Sequence, residues 1–355
     1  MSKSFFKSFI HDLGDPDTTV AADGVSSSEF TGHIDTGSYI LNAAISGSLY
    51  GGIPNNKAVI FAGDPATGKT FFALGIVKSF LNDNKDGHVF YFDTESAVTN
   101  EMLTSRGIDI TRIAKSEPDS IEKFRHIAYK TLDAYMQLPE DKRFPLLMVL
   151  DSLSALPSKK ETEDMATEKD VRDMSKATLI KAAFRVLRLK LAKAKVPLVV
   201  TNHVYAVIGS YFPTKEMAGG NGAKYAADTI VFLSKKKDRN SDKAVVGNII
   251  KARMMKSRQT KEETTVETRI LFDGGLDRYY GLLELAIEQG CVKKVATRYE
   301  FPDGSKVFEK AILHAPEKYF TKDVLDCVEV YVKEHFLYGT ASAPITADEL
   351  DTDSE

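Results

Sequence analysis

The sequence has few cysteines and no long hydrophobic segment. Its 355 residues include only two cysteines, Cys291 and Cys327, and no apolar run approaches the roughly 18 residues of a membrane-spanning helix. The first residues also lack the apolar core of a signal peptide. Two cysteines without a paired spacing predict unpaired core residues in a reducing compartment, and they offer no metal site. We therefore expect a cytoplasmic protein with no membrane partner.

The sequence also lacks an excess of positive charge, since the net charge is −3. That total argues against a nucleic-acid partner, but the charges are unevenly distributed. Seven basic residues and no acidic one lie between Met174 and Lys195, and ten basic against two acidic residues lie between 235 and 261. These basic segments are either solvated surfaces or nucleic-acid contacts. The acidic last twenty residues are a solubilising end, a competitor of DNA for the basic surface, or a docking site for basic proteins.

One segment, residues 63–70, matches the phosphate-binding pattern G-x-x-x-x-G-K-[ST]. An apolar run at 58–62 precedes it and a helical apolar pattern over 71–81 follows it. The glycines let backbone N–H groups turn inward, and the start of the helix adds its positive dipole end. Lys69 would reach the β- and γ-phosphates of ATP, and Thr70 would bind Mg²⁺. The predicted ATP-binding residues of this loop are Gly63, Asp64, Pro65, Ala66, Thr67, Gly68, Lys69 and Thr70.

Strands and helices alternate from residue 34 onwards, which predicts an α/β fold with a mostly parallel sheet. Three apolar runs lead into polar residues: 88–92 before Glu95, 145–150 before Asp151, and 197–202 before His203. The carboxyl ends of parallel strands face one crevice, so these side chains should lie near the P-loop. Asp151 would hold Mg²⁺, Glu95 would activate the attacking water, and His203 would sense the γ-phosphate. The alternatives are a helix cap, a solvated glutamate and an incidental histidine.

Four parts are expected along the chain. Residues 1–30 form an amphipathic helix and a linker, 31–275 the ATPase core, 276–340 a small α/β domain, and 341–355 a disordered acidic tail. Phe5 and Phe9 lie on the apolar face of the first helix. That helix either packs on its own domain or docks on a neighbouring protomer.

Several short motifs, taken in order, resemble the RecA family of ATPases, and most closely its phage UvsX-type recombinases. They are Thr36-Gly37-Ser38, Gly51-Gly52-Ile53-Pro54, Phe92-Asp93-Thr94-Glu95, residues 150–156, Thr201-Asn202-His203 and residues 219–225. The resemblance covers about residues 34–310 and implies a RecA-like P-loop core using ATP and Mg²⁺. It also implies helical filaments on single-stranded DNA, exchange with homologous duplex DNA, and single-strand-binding and mediator proteins as partners.

The resemblance assigns roles to individual residues. Glu95 matches the catalytic glutamate, and His203 stands where bacterial RecA proteins have the glutamine that senses the γ-phosphate. Lys251 and Arg253 match two cations that reach the neighbouring protomer's ATP across the filament interface. A solvated edge strand is the alternative for this pair. Tyr225 matches an aromatic residue that packs into the adjacent protomer.

Two loops are expected to contact DNA, loop one at about 157–170 and loop two at about 204–221. The candidate DNA-binding residues are Arg172, Lys176, Arg185, Ile208, Gly209, Gly219, Gly220 and Asn221. Backbone contacts from loop glycines would leave base edges free for pairing. Tyr211 and Phe212 either stack on bases or anchor the loop.

Two other functions compete with strand exchange. A RecA paralogue could bind ATP only to load or cap a partner's filament, but Glu95, Asp151 and the two loops argue against it. A hexameric helicase should lack the glycine and aromatic pattern of loop two. The sequence departs from the family at Thr99 and Met102, which align with its adenine contacts, and purine recognition therefore stays open.

Overall fold

The structure is a computed structural model that describes residues 3–15, 18, 20, 30–167, 175–206, 215–240 and 242–339. Several residues with predicted roles lie outside that set: Arg172, Ile208, Gly209, Tyr211, Phe212 and the tail at 341–355. The side chains of Phe5 and Asn221 are likewise not described. The roles proposed for these residues stay predictions.

The helices alternate with strands through the first two thirds of the chain. The helices are α1 (Lys3–Asp12), α2 (Tyr39–Ser46), α3 (Lys69–Asp83), α4 (Asn100–Ser105), α5 (Ile121–Gln137), α6 (Lys159–Ala166), α7 (Lys176–Ala194), α8 (Asn221–Ala226), α9 (Leu282–Glu288), α10 (Glu309–His314), α11 (Pro316–Tyr319) and α12 (Lys322–Phe336). The strands are β1 (His33–Ile34), β2 (Ile53–Pro54), β3 (Ala58–Gly63), β4 (His88–Asp93), β5 (Ile113–Ser116), β6 (Leu146–Asp151), β7 (Leu198–Ala206), β8 (Lys215–Met217), β9 (Thr229–Arg239), β10 (Val245–Lys256), β11 (Thr265–Leu271), β12 (Gly275–Asp277), β13 (Lys293–Val295), β14 (Arg298–Glu300) and β15 (Lys306–Val307).

A large mixed sheet organises the described residues, in the strand order β12-β11-β10-β9-β3-β7-β6-β4-β5, with β8 added to β7. The strands from β9 to β5 pair in parallel, whereas β10, β11 and β12 continue the sheet with antiparallel pairing. This arrangement confirms the predicted α/β fold. It also corrects one alternative, because β10 lies between β9 and β11 and is therefore not an edge strand.

The parallel strands are continuously apolar because helices cover both faces of the sheet. In β3, Val59 and Phe61 pack into one cluster with α2 and α3, while Ile60 and Ala62 pack into a second cluster with α5 and α7. All six residues of β3 are buried. Burial on both faces holds the carboxyl end of β3, where the P-loop begins, in a rigid setting.

The carboxy-terminal helices share one of these clusters with the main sheet. Residues of α9 and α12 pack with those of α2. The buried Glu329 of α12 accepts hydrogen bonds from the Ser48 hydroxyl and the Leu49 N–H, both at 2.7 Å. The predicted boundary at residue 276 is not marked by a break in this core, and it stays a prediction.

The two cysteines differ from expectation. Cys291, which follows α9, and Cys327, within α12, form a disulfide. The sequence argument for unpaired cysteines is therefore wrong, although Cys291 is buried as predicted. The error arises because a separation of many residues says nothing about distance once two helices pack together.

Helix α1 leaves its apolar face uncovered by the described residues. Phe6, Phe9 and Leu13 are 54%, 53% and 54% exposed. Packing on the chain's own core is therefore not what the structure shows, and docking on a neighbouring protomer stays a prediction.

The helices of the described ranges include none that is both long and apolar enough to cross a membrane.

Candidate nucleotide site

The P-loop forms the turn between β3 and α3, and its two glycines are sterically required there. A Cβ on Gly63 would lie 2.6 Å from the Thr67 hydroxyl oxygen and 2.7 Å from the Leu233 carbonyl oxygen. Gly68 has φ of +87°, in the left-handed region that side chains disfavour. The Thr67 hydroxyl also donates to the Asp64 carbonyl at 2.9 Å, which closes the loop on itself.

Lys69 begins α3 and turns its ammonium back over the loop. Its Nζ donates to the carbonyl oxygens of Gly63 and Asp64, both at 3.0 Å, and the residue is only 7% exposed. Burial lowers the pKa of Lys69, and the carboxylates of Glu95, Asp151 and Asp64 oppose that shift. The Lys69 ammonium therefore lies at the mouth of the loop. There, phosphate oxygens can replace the two carbonyl oxygens as hydrogen-bond acceptors.

Asp151 ends β6 and is fixed in place by two hydroxyl groups. The Tyr91 hydroxyl donates to its Oδ2 at 2.8 Å, and the Thr201 hydroxyl donates to its Oδ1. The carboxylate is buried, with 4% of the residue exposed. Burial and then the charge of Asp151 raise the pKa of Tyr91, so the phenol stays protonated and donates. The Asp151 carboxylate is thus bound by side chains from β4 and β7. Among the described residues it does not cap a helix, which was the alternative role for this residue.

Removal of the Tyr91 hydroxyl is expected to destabilise the core. In the Tyr91→Phe variant, Asp151 loses a buried donor, and hydrogen bonds to charged groups contribute about 1.5–3 kcal/mol. Tyr135→Phe is a matched control because the Tyr135 hydroxyl donates to a neutral carbonyl, that of Phe144, at 2.7 Å. Denaturant unfolding should show a smaller loss for the control. Equal losses would contradict the assignment of a charged acceptor.

The structure brings Glu95 and His203 together from β4 and β7. His203 Nε2 lies 3.3 Å from Glu95 Oε1, and the Ser152 hydroxyl donates to the same oxygen. In the parallel sheet, His203 is also the direct partner of Gly63, the first residue of the P-loop. Two neighbours thus orient the glutamate, whose side chain is 37% exposed, and this orientation favours a role in chemistry at the P-loop.

The strand that carries His203 continues into the base of loop two. β7 pairs with β8 in antiparallel register, and the Ala218 N–H donates to the His203 carbonyl at 2.9 Å. The Asn202 amide donates to the Ala218 carbonyl at 3.0 Å. Gly219 follows at φ of +81°, where a Cβ would lie 2.5 Å from Ile180 of α7. One backbone hydrogen bond and one from the Asn202 side chain therefore connect the strand of His203 to the glycine segment of loop two.

Loop one is more ordered than its polar sequence indicated, because it contains α6. Ser158 and Glu161 form a capping box at the start of this helix, and Glu161 also pairs with Lys176 of α7 at 3.3 Å. A cavity of about 440 Å³ is lined by Lys176, Gly219, Gly220 and Ser154, which lies in the turn after β6. Three of the predicted DNA-binding residues therefore lie together at one cavity, formed by loop two, the start of α7 and the turn after β6.

Arg185 lies apart from that cavity, farther along α7. It lines a second cleft of about 460 Å³ with Tyr225 of α8 and Lys181. Tyr225 is 67% exposed, and the Lys181 ammonium lies 5.6 Å from the centre of its ring. The aromatic ring is exposed, and its contact with a second protomer stays a prediction.

Lys251 and Arg253 lie on the exposed face of β10, alternating with the buried residues Ile250, Ala252 and Met254. Arg253 pairs with Glu263, at 2.8 Å from Nε to Oε2. Within the part of the chain that the structure describes, neither cation hydrogen-bonds to the P-loop. Their predicted contact with a neighbouring protomer's ATP stays a prediction.

Sequence reasoning missed several groups that shape the site. Lys215 of β8 pairs with the Asp64 carboxylate, and Lys235 of β9 donates to the Ala66 carbonyl at 2.7 Å. Thr99, which aligns with a family adenine contact, instead caps α4 by accepting from the Met102 N–H at 3.1 Å. Only the position of Lys215 within loop two could have suggested its role.

The sheet, the P-loop with its lysine, and the strand-end carboxylates define a P-loop nucleotide-binding protein. The RecA N-terminal domain family matches residues 3–277, and the chain belongs to the RecA family. It is 32% identical over 255 residues to the recombination and repair protein of Enterobacteria phage T4. It is 27% identical over 273 residues to protein RecA of Cereibacter sphaeroides, and 26% identical over 269 residues to protein RecA of Thermotoga petrophila.

The matches differ in how much of each protein they cover. The phage T4 match covers 72% of this chain and 63% of the phage protein, which is less than two thirds of that protein's length. The Cereibacter match covers 76% of this chain and 74% of its relative, and the Thermotoga match covers 76% and 71%.

Proposed function

We propose that this protein is an ATP-dependent recombinase that forms helical filaments on single-stranded DNA and exchanges strands with homologous duplex DNA. The observation that carries the proposal is the placement of His203. This residue contacts Glu95 at the nucleotide site, pairs with Gly63 of the P-loop, and hydrogen-bonds through its carbonyl to the base of loop two. Bound nucleotide and bound DNA would therefore both affect the same part of strand β7, around His203.

The residues present suit ATP hydrolysis. Backbone N–H groups of residues 63–70 and the Lys69 ammonium would bind the phosphates, and Glu95 would accept a proton from the attacking water. Thr70 and Asp151 would hold Mg²⁺, which supplies charge neutralisation at the β- and γ-phosphate oxygens. The described residues contain no group of three or more acidic, histidine or cysteine side chains placed to hold a metal. The ion would therefore take its other ligands from phosphate and water.

Turnover would depend on the filament as well as on DNA. Lys251 and Arg253 present two cations on an exposed strand face, where they could stabilise transition-state charge in a neighbouring protomer. A contact of this kind joins unlike surfaces, and repeated contacts of that type build an open helix rather than a closed ring. The exposed face of α1, with Phe6 and Phe9, offers an apolar contact between protomers in addition to these cations.

The cellular setting follows from the same proposal. A recombinase of this kind acts in DNA recombination, in repair and in recombination-dependent replication, within the cytoplasm. Its partners would be single-stranded DNA, homologous duplex DNA, further copies of itself, and single-strand-binding and mediator proteins.

The deciding experiment measures ATP hydrolysis with and without single-stranded DNA, together with strand exchange between homologous substrates. We expect DNA to stimulate hydrolysis and the protein to produce exchanged strands. Hydrolysis that is indifferent to DNA would contradict the coupling. Electron microscopy with DNA and a nonhydrolysable ATP analogue should show long regular filaments, whereas their absence would favour a mediator that acts on a partner's filament.

A further inference from the structure

An ion pair joins the P-loop to the base of loop two. The Asp64 carboxylate belongs to the P-loop, and the Lys215 ammonium belongs to the first residue of β8, 151 positions later. Their side chains are 44% and 49% exposed, so both groups lie at the rim of the site, where solvent and ligands can reach them. Neither the phosphate-binding pattern nor the predicted DNA contacts accounts for this pair.

The pair matters because of where Asp64 places its charge. The P-loop binds phosphate through N–H groups, a helix dipole and Lys69, all of which favour an anion. A carboxylate in the same loop repels a triphosphate unless a cation offsets it. Lys69 and Lys235 are already engaged with carbonyl oxygens of the loop, so Lys215 is the cation paired directly with the Asp64 side chain.

We propose that Lys215 is a positioning residue of the nucleotide site, contributed by the base of loop two, which neutralises Asp64 and so makes ATP affinity depend on the placement of β8. The coupling to DNA in this proposal rests on the proposed function. Because linkage is reciprocal, a DNA molecule that changes the contact of Lys215 with Asp64 changes ATP affinity, and ATP changes DNA affinity by the same factor.

The first experiment measures the affinity for a fluorescent ATP analogue without DNA, in Lys215→Met, Asp64→Asn and the double variant. A single exposed ion pair contributes little free energy, so Lys215→Met should weaken binding about 1.4- to fivefold. The double variant should return to wild-type affinity or bind more tightly, because no carboxylate is left unpaired. The proposal is wrong if Lys215→Met has no effect on analogue affinity. It is also wrong if Lys215→Met weakens binding by the same factor in the wild-type background and in the Asp64→Asn background.

A matched control separates this effect from the loss of any surface cation. Lys123 pairs with Asp119 at 3.0 Å on α5 and is 48% exposed, close to the value for Lys215. Lys123→Met should leave analogue affinity unchanged. Thermal unfolding of each variant should match the wild type, since all the substituted side chains lie at the surface.

The second experiment repeats the titrations with saturating single-stranded oligonucleotide. The factor by which the oligonucleotide changes analogue affinity should differ about 1.4- to fivefold between Lys215→Met and the wild type, and should be retained in Lys123→Met. An unchanged factor in Lys215→Met overturns the coupling. If the oligonucleotide has no effect on the wild type, the coupling and the proposed function both fail, whereas the titrations without DNA still decide the role of the pair.

Discussion

Replacement of Lys69 by alanine is expected to abolish ATP hydrolysis and strand exchange. The lysine is the cation directed into the mouth of the P-loop, and its ammonium is held by two loop carbonyls at 3.0 Å. Loss of one preorganised group that stabilises developing charge typically costs about 10²- to 10³-fold in turnover. ATP binding should weaken as well, because the same ammonium is proposed to contact the phosphates before and during the reaction.

The measurement is steady-state hydrolysis with single-stranded DNA, accompanied by strand exchange. Folding should survive the change, since Lys69 is only 7% exposed and the loss of a buried ammonium removes its desolvation cost. Lys78→Ala is the control, because this exposed lysine lies on the same helix outside the P-loop. Retention of both activities in Lys69→Ala would refute the phosphate role.

Replacement of Glu95 by glutamine is expected to separate ATP binding from ATP hydrolysis. The amide has the same shape and can still contact Ser152 and His203, but it cannot accept a proton from water at neutral pH. General-base catalysis contributes about 10²- to 10⁴-fold, so turnover should fall by that factor. Analogue affinity should stay near the wild-type value, because the P-loop contacts are unchanged.

Single-turnover hydrolysis and analogue titration, performed on the same preparation, test this separation. DNA-bound filaments should persist longer in Glu95→Gln, since bound ATP is no longer consumed. Glu101→Gln provides the control with an exposed glutamate on α4. Turnover within tenfold of the wild type would show that another group acts as the base.

The apolar runs predicted the central sheet because burial on both faces leaves a simple local signal. The apolar run at 145–150 predicts a strand, and β6 occupies Leu146–Asp151. Strand β5 was missed, since its four residues, at the sheet edge, are exposed or only partly buried. Helix α6 was also missed, because its charged sequence has no apolar stripe and depends on the capping box at Ser158.

The sequence by itself determined the P-loop, the polar residues at the ends of three strands, and the alternation that produces an α/β sheet. Each of these depends on residues that are close in the chain: a spaced motif for the P-loop, continuous apolar runs for the buried strands and a period of 3.6 for the helices. The family followed from the order of the same motifs, and the match over residues 3–277 confirms it.

Only the tertiary structure decided which distant side chains meet. It placed Tyr91 and Thr201 on Asp151, His203 beside Glu95, Lys215 on Asp64, and Cys291 against Cys327. Such contacts depend on strand order and helix packing, because residues far apart in the chain become neighbours only after the sheet assembles. The partners that orient the nucleotide site, and its ion pair to loop two, are therefore properties of the fold.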